Sequence, residues 1–240
     1  MSPEDKVLRV ALFGAAGRMG RTILHEAREH KDLVIVKGYD PAGAGQYFGE
    51  LMIEPSCHGV RDHIDVAIDF SSAHAVEENV TCAMRGKVPY VCGVTALPDK
   101  TLKLFREAAK EIPLLHAPNM SPAMNVLFAI APQIAAALPD YNMHIVETHH
   151  TKKLDSPSGT ALRITEILED TSGKKPEISA LRMGDVIGEH RIIFGGPGER
   201  IELVHRADAR AVFAHGALRA AAWLAHQPAG HYAMTDMLGL

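Results

Sequence analysis

The sequence predicts an α/β protein with a Rossmann-like parallel sheet domain and a smaller α+β domain that contains an open mixed sheet. Three observations predict this fold. Apolar runs suited to buried strands alternate with helix-forming segments in the first half of the chain. A glycine-rich turn, Gly14 to Gly20, directly follows the first apolar run. The second half has short extended runs separated by glycine-rich turns, which is typical of an antiparallel or mixed sheet.

The elements follow from this pattern in chain order. In the first half, strands are predicted at 7–13, 33–39, 66–70, 90–92 and 114–116, and helices over about 20–30, 73–85 and 99–110. In the second half, helices are predicted over 123–138, from near 159 and over about 209–226, and extended runs at 143–147, 178–182, 190–194 and 201–205. An open sheet in a small second domain often joins subunits, so we expect an oligomer.

Composition narrows the class of protein. The chain has 240 residues, 47% of them hydrophobic and 22% charged, which suits one or two soluble globular domains. The net charge is -4 and the basic residues are scattered, so a nucleic-acid partner is not expected. No apolar run has membrane-spanning length and no signal-peptide pattern is present, so we expect a cytoplasmic protein with no membrane partner. Cys57, Cys82 and Cys92 are odd in number and lack metal-ligand spacing, which predicts reduced thiols and no metal.

The glycine-rich turn has the composition of a dinucleotide site. Gly14 permits a tight exit from the strand, while the small Ala15 and Ala16 let the backbone approach a pyrophosphate closely. Gly17 and Gly20 let the following helix pack against the sheet, and its N-terminus favours an anion. The spacing is G-x-x-G-x-x-G rather than the commoner G-x-G-x-x-G, so the alternative is an ordinary strand-to-helix turn.

Asp40 indicates which dinucleotide is preferred. It lies twenty residues after Gly20, where a carboxylate accepts hydrogen bonds from the adenosine ribose and repels a 2′-phosphate. The following Pro41 offers no compensating charge, although Arg18 is placed to reach a phosphate. The sequence therefore favours NADH over NADPH.

Two later loops are predicted to line the nicotinamide end of the site, because ligands bind beyond the carboxyl ends of the strands in open parallel sheets. An ordinary connection between helix and strand is the alternative for each loop. The residues concerned are Gly93, Val94 and Thr95 after one strand, and Ala117, Pro118, Asn119 and Met120 after another.

The segment 147–160 predicts a substrate site. It places two imidazoles and two ammonium groups shortly before a Ser-Gly-Thr turn that should open a helix. This combination suits a pocket that holds a carboxylate and delivers a proton, although a solvated loop is an alternative. A zinc site is disfavoured because the adjacent His149 and His150 should point to opposite faces of an extended segment. A nucleophilic Ser158 is disfavoured because its surroundings are not a Gly-x-Ser-x-Gly elbow.

Taken together, these motifs resemble the dihydrodipicolinate (4-hydroxy-tetrahydrodipicolinate) reductase family nearly end to end. The most specific match is the His-His-x-x-Lys pattern of residues 149–153 followed by Pro-Ser-Gly-Thr at 157–160. Further matches are G-A-A-G-R-M-G at 14–20, D-F-S at 69–71, A-P-N-M-S at 117–121, N-V at 125–126, R-x-G at 182–184, G-x-H at 188–190, F-A-x-G-A at 213–217 and the tail from residue 232.

The resemblance implies an NAD(P)H-dependent reduction of a cyclic dicarboxylate in lysine and diaminopimelate biosynthesis, by a homotetramer. It implies a dinucleotide domain of residues 1–122 and 212–240, and a substrate and tetramerisation domain of residues 123–211. A non-catalytic dinucleotide-binding sensor and a related imine or amino-acid dehydrogenase are the alternatives.

The resemblance also implies roles for individual residues. His149 and Lys153 match the catalytic acid/base pair, with Lys153 as the proton donor. The cofactor contacts would be Gly14, Ala15, Ala16, Gly17, Arg18, Met19, Asp40 and the two loops at 93–95 and 117–120, while the substrate carboxylates would bind His150, Gly159, Thr160 and Thr95. The chain departs from the family in having Gly93-Val94-Thr95-Ala96 where Gly-Thr-Thr-Gly is usual, which removes a hydroxyl at position 94, and in a short loop after Asp40.

Overall fold

The chain forms two compact units in a computed structural model that describes residues 6–57 and 63–240. The first unit comprises Met1–Met120 and Phe213–Gly239. The second comprises Ser121–Val212 together with Leu240.

The described residues form strands and helices with the following bounds. The strands are Leu8–Phe13 (β1), Leu33–Tyr39 (β2), Tyr47–Phe48 (β3), Leu51–Glu54 (β4), Val66–Asp69 (β5), Tyr90–Cys92 (β6), Pro113–His116 (β7), Asn142–His149 (β8), Glu177–Arg182 (β9), Gly188–Gly196 (β10), Glu199–Ala207 (β11) and Gly230–Tyr232 (β12). The helices are Arg18–Glu26 (α1), Val76–Gly86 (α2), Asp99–Ala108 (α3), Pro122–Ala137 (α4), Gly159–Ser172 (α5), Ala211–Leu224 (α6) and Met234–Leu238 (α7).

An eight-stranded sheet forms the first unit, in the order β12-β7-β6-β5-β1-β2-β4-β3. All neighbours are parallel except β3 and β4. Successive side chains of β1 enter two separate cores: Val10 and Leu12 pack on one face, while Ala11 and Phe13 pack on the other. A strand buried on both faces explains the almost unbroken apolar run from which this fold was predicted, in which Arg9 is the exposed exception.

A four-stranded mixed sheet, ordered β11-β10-β8-β9, forms the second unit. β8 and β9 are parallel, while β10 runs antiparallel to both β8 and β11. Helices α4 and α5 supply much of the apolar core that includes Ile145, Ile192 and Phe194 from the sheet. The predicted fold, a parallel sheet domain with a smaller mixed-sheet domain, is confirmed.

Several short elements were missed in the sequence. β3, β4, β12 and α7 contain between two and five residues each. Segments this short contain less than one period of a recognisable apolar pattern, and tertiary contacts decide their conformation. The region after Asp40, expected to be a short loop, holds β3, β4 and a 3-10 helix at Pro41–Gly43.

The prediction of three reduced thiols was wrong for Cys57 and Cys82. These residues form a disulfide across a Cα–Cα distance of 6.5 Å, whereas Cys92 is a buried free thiol. The two cysteines are separated by 25 residues in sequence, and only the fold brings them together.

Over the described ranges 6–57 and 63–240, the helices are all too short or too polar to cross a membrane.

Candidate active site

The glycine-rich turn of the first unit is held in a conformation that requires glycine. Gly14 has a φ of +76°, and a Cβ added there would lie 2.6 Å from the carbonyl oxygen of Phe70. A Cβ on Gly20 would lie 2.1 Å from the carbonyl oxygen of Gly14. Gly17 is the N-cap of α1 and has no side chain to occupy the helix N-terminus. The turn therefore offers a close backbone approach and a helix dipole to a pyrophosphate, and it fits a dinucleotide.

Asp40 is tied to this turn by its own carboxylate. Its Oδ2 accepts a hydrogen bond from the backbone N–H of Ala16 at 3.1 Å, and Oδ1 accepts one from Ala42 at 2.9 Å. The carboxylate is thus held at the carboxyl end of β2, beside the glycine-rich turn. Of the other predicted contacts there, Arg18 is exposed and Met19 is half-buried against the first core.

Arg21 is a second cation at the turn that sequence reasoning missed. Its Nε donates to the carbonyl of Ala16 at 2.9 Å, and Nη2 donates to Oε1 of Gln46 at 3.1 Å. Its position one helical turn after Gly17 was the available signal, since residues i and i+4 share a helix face.

The loop after β6 is shaped by Phe70. A Cβ on Gly93 would lie 2.3 Å from Cζ of Phe70, so glycine is required there for packing. Val94 is buried and its carbonyl oxygen lies 3.2 Å from Nε2 of His116, while Thr95 is exposed. Ala96, which stands at the usual glycine position, has a φ of +53°.

The loop after β7 is buried at both ends and open to solvent in the middle. Ala117 and Met120 are buried in the first core, Pro118 is exposed and Asn119 is half-buried. The N–H of Ala117 donates to the carbonyl of Cys92 at 3.0 Å, which continues the parallel ladder beyond the strand ends. The loops at 93–95 and 117–120 therefore lie side by side at the carboxyl edge of the sheet.

On the second unit, the predicted catalytic histidine lies at the end of β8. His149 is 7% exposed, and its Nδ1 makes a short hydrogen bond with Oε2 of the fully buried Glu147. Oε1 of Glu147 accepts hydrogen bonds from Nη2 of Arg182 at 2.9 Å and from the backbone N–H of Ser158 at 3.2 Å. Burial lowers the pKa of His149, as do the charges of Lys153 and Arg182, and together they outweigh the opposing effect of Glu147. At neutral pH the ring is therefore uncharged.

Lys153 follows in the loop between β8 and α5. Its Nζ lies 2.8 Å from Oδ1 of Asp155, and its side chain is 23% exposed. Asp155 also accepts a hydrogen bond from the backbone of Gly159, and its pKa is lowered chiefly by the hydrogen bond from Lys153. Lys152 is exposed and His150 is half-buried. Lys153 thus forms an ion pair with Asp155 near the start of α5, whereas the neighbouring Lys152 is exposed to solvent.

The N-terminus of α5 begins at the Ser-Gly-Thr turn, as predicted. Ser158 is the N-cap, and its hydroxyl accepts from the backbone N–H of Ala161 at 3.2 Å. Gly159 is exposed, with no atom within 4 Å of an added Cβ, and Thr160 is half-buried. The helix dipole and an open first turn suit a carboxylate.

Two buried histidines adjoin this site and were given no role from the sequence, although His190 belongs to the matched G-x-H pattern. His190 and His205 are register partners on β10 and β11. Nε2 of His190 lies 3.3 Å from Oγ of Ser158, and Nε2 of His205 lies 3.1 Å from Oγ of Ser121. The signal was the alternation of each strand, which turns these residues toward the same face as the core.

His190 also changes the argument about metals. Donor atoms of Glu147, His149 and His190 lie within 4.8 Å of one another, a spacing that a metal ion would tolerate. This set differs from the adjacent His149 and His150, for which a zinc site was disfavoured from the sequence. However, the Arg182 guanidinium already neutralises Glu147 and places a fixed positive charge beside the position. We therefore assign these donors to hydrogen bonding.

Two family profiles together match almost the whole chain. The profile for the N-terminus of dihydrodipicolinate reductase matches residues 8–120, and the profile for its C-terminus matches residues 123–238. The chain belongs to the dihydrodipicolinate reductase family. The 4-hydroxy-tetrahydrodipicolinate reductase of Zymomonas mobilis is 40% identical over 261 aligned residues, and the match covers 100% of both chains. The family predicted from the motifs, and with it an oxidoreductase rather than a sensor, is confirmed.

Solved structures show the same fold. A dipicolinate-bound dihydrodipicolinate reductase from a Paenisporosarcina species superimposes with a TM-score of 0.83 at 22% identity, covering 96% of this chain and 98% of that one. An engineered D-amino acid dehydrogenase bound to NADP+ gives a TM-score of 0.62 at 15% identity, covering 95% and 93%. The reductase is thus the better structural match of these two, which agrees with the family profiles.

Proposed function

We propose that this protein reduces 4-hydroxy-tetrahydrodipicolinate to tetrahydrodipicolinate, consuming one NAD(P)H and one proton and releasing NAD(P)+ and water. The step serves lysine and diaminopimelate biosynthesis, and we place it in the cytoplasm. One observation of the site supports the proposal: Lys153, the predicted proton donor, and Gly159, a predicted contact of a substrate carboxylate, already bind an internal carboxylate, that of Asp155. Asp155 receives both the Lys153 ammonium, at 2.8 Å, and a backbone hydrogen bond from Gly159. A substrate carboxylate would exchange with Asp155 for these donors.

The two catalytic residues are proposed to have different tasks. Lys153 is a cation with transferable protons, so it is suited to protonate the ring as hydride adds to it. His149 is neutral, so it supplies a hydrogen-bond acceptor or a base rather than a second acid. His150, Gly159, Thr160 and Thr95 are proposed as contacts of the two carboxylates. The dipicolinate in the Paenisporosarcina structure, a planar ring with two carboxylates, supports this substrate class.

The nicotinamide cofactor, when bound, supplies the hydride. Gly14, Ala15, Ala16 and Gly17 would hold its pyrophosphate with Arg18 and Met19 alongside, and the loops 93–95 and 117–120 would adjoin the nicotinamide. Asp40 supports a preference for NADH, because a fixed carboxylate at the end of β2 would repel a 2′-phosphate.

A homotetramer is proposed from the open face of the mixed sheet. This face carries exposed Leu181 and Val204 beside an ion pair between Arg206 and Glu189. Exposed apolar side chains beside charged ones are typical of a protein interface. Analytical ultracentrifugation measures the assembly directly, and a protein that sediments as a monomer, dimer or trimer would disprove the homotetramer.

The function is tested by the oxidation of NADH, followed by its absorbance, with freshly generated 4-hydroxy-tetrahydrodipicolinate as the substrate. We expect turnover with this compound and none with acyclic imines or keto acids. The converse result, turnover of acyclic imines alone, would instead support an amino-acid dehydrogenase.

A further inference from the structure

The carboxylate of Glu147 is fully buried beside the predicted catalytic histidine. It lies two residues before the end of β8 and has no solvent exposure. A desolvated carboxylate is costly unless it is paired and hydrogen-bonded. Oε1 receives Arg182 and the backbone N–H of Ser158, while Oε2 receives Nδ1 of His149. Both oxygens are therefore committed to groups that surround the predicted catalytic histidine.

The hydrogen on Nδ1 of His149 follows from the charge of Glu147. Burial raises the pKa of Glu147, but the hydrogen bonds from Arg182 and His149 outweigh it, and the pKa lies below its ordinary value. An ionised carboxylate only accepts hydrogen bonds, so the donor must be Nδ1–H. In a neutral imidazole the remaining nitrogen, Nε2, is then an acceptor.

Arg182 holds this arrangement from the neighbouring strand. It is the register partner of His149 in the parallel pair of β8 and β9. Its Nη2 donates to Glu147 at 2.9 Å and also to the backbone carbonyl of Asp155 at 2.6 Å. The Arg182 guanidinium therefore hydrogen-bonds both to the Glu147 carboxylate, which contacts His149, and to the loop that contains Lys153.

The opposite edge of the imidazole is kept clear by Gly188, the first residue of β10. A Cβ added to Gly188 would lie 3.1 Å from Nε2 of His149 and 3.4 Å from its Cδ2. Any larger residue would crowd the nitrogen that is to accept a hydrogen bond. Glycine at this position avoids that crowding beside Nε2.

We propose that Glu147, anchored by Arg182, is a positioning residue that locks His149 as the Nδ1–H tautomer and presents Nε2 to the substrate as an acceptor. The proposal rests on the proposed function, since it takes His149 as a substrate-facing group of the reductase. In this proposal Lys153 donates a proton to the substrate, whereas His149 accepts a hydrogen bond from it.

The wild-type protein tests the tautomer without any mutation. Histidine labelled with ¹⁵N distinguishes a protonated from an unprotonated ring nitrogen by chemical shift, and comparison with His149→Gln identifies the signals of His149. We expect a protonated Nδ1 and an unprotonated Nε2 at pH 7.5. A protonated Nε2 in the wild-type enzyme would overturn the proposal.

Glu147→Gln then tests the consequence for turnover. The substitution keeps the shape and removes the charge, so the amide can hydrogen-bond to either tautomer. We expect kcat to fall about a hundredfold, by analogy with the loss of a general acid or base, while NADH affinity changes less than twofold. Glu177→Gln is the matched control, because Glu177 and His144 form an exposed pair, 3.9 Å apart, on the same sheet. This control should retain wild-type kcat.

The pH profile supplies a readout that a merely structural role would not change. The charged groups that face His149 are Glu147 on β8, Arg182 on β9 and Lys153 in the following loop, and the neutral His190 packs against it from β10. Of these, only Glu147 raises the pKa of His149. In Glu147→Gln the acid limb of kcat/KM should therefore move to lower pH. An unmoved limb together with kcat within twofold of wild type would overturn the proposal.

The outcomes separate this proposal from the proposed function. If the wild-type protein fails to reduce 4-hydroxy-tetrahydrodipicolinate, the function is wrong, while the ¹⁵N spectrum still decides the tautomer. If His149→Gln is inactive and Glu147→Gln is fully active, the function stands and the positioning role is refuted. Should Glu147→Gln fail to fold by circular dichroism, the wild-type spectrum remains decisive.

Discussion

The imidazole of His190 packs edge-on against that of His149, with their ring centroids 5.1 Å apart and their planes at 75°. His190 is 4% exposed, and Nε2 contacts the hydroxyl of Ser158. Burial, followed by the neighbouring His149, lowers the pKa of His190 to about 3. The contact therefore requires a neutral ring, and protonation of His190 would oppose the folded state.

Acid should destabilise the protein through this residue. The unfolded chain protonates histidine near pH 6.5, whereas folded His190 does so near 3, so the unfolded state binds more protons between these values. The stability that neutral His190 contributes is complete above about pH 6.5 and is lost as the pH falls toward 3. Urea unfolding at a series of pH values should show His190 contributing up to about 1.4 kcal/mol per pH unit to this loss.

His190→Gln should flatten that pH dependence, although it lowers stability at pH 7 through lost packing. His74→Gln, at an exposed position, is the control and should leave the dependence unchanged. An identical slope in wild type and His190→Gln between pH 6.5 and 4 would contradict the prediction.

Lys153 should be required for turnover, unlike its neighbour. We expect Lys153→Met to lower kcat by about a hundredfold, because removal of a general acid typically costs this much, with NADH affinity within twofold of wild type. Lys152→Met removes an exposed lysine one residue away and should retain wild-type kcat. Steady-state kinetics and NADH titration measure both quantities.

Lys153→Arg separates the charge of the lysine from its proton. Arginine keeps the positive charge but does not release a proton at accessible pH. We therefore expect this variant to remain within about tenfold of Lys153→Met. Wild-type turnover in Lys153→Arg would show that only the charge is needed.

The cofactor preference should depend on Asp40. Asp40→Asn removes the negative charge at the end of β2 that is proposed to repel the 2′-phosphate of NADPH. A surface charge pair at about 4 Å is worth on the order of 1 kcal/mol or more, so the affinity for NADPH relative to NADH should rise about five- to tenfold. Asp32→Asn, just before the other end of β2, is the control. Binding titrations with both dinucleotides decide the matter, and a wild-type preference for NADPH would refute the role of Asp40.

Ala96 should be a site where glycine stabilises the protein. Its φ of +53° lies in the left-handed region, which costs a residue with a Cβ roughly 1–2 kcal/mol, partly offset in glycine by greater unfolded-state entropy. Ala96→Gly should therefore raise the free energy of unfolding by about 0.5–1 kcal/mol. Ala129→Gly, inside α4, should lower it by about 1 kcal/mol. Thermal or urea unfolding of both variants should show opposite signs.

Most strands and helices could be predicted from local patterns in the sequence. The bounds of β2 and β6 and the start of α5 agree with the sequence predictions, because both strands are rich in apolar and β-branched or aromatic residues and a Ser-Gly-Thr turn caps a helix. The family was recognisable for a related reason. Its specific pattern, from His149 to Thr160, lies within twelve consecutive residues, so no folding is needed to see it.

Contacts between residues distant in sequence could not be predicted from local patterns. Arg182, His190 and the Cys57–Cys82 disulfide acquire their meaning from strand register and loop packing, which place groups 25 to 41 residues apart in contact. The sequence shows that these residues are present but does not show which residues they contact. The amino-acid order thus specified which groups are present and which local structures they favour. The packing of β8 between β9 and β10 set the ionisation of His149, because burial and neighbouring charges exist only once those strands assemble.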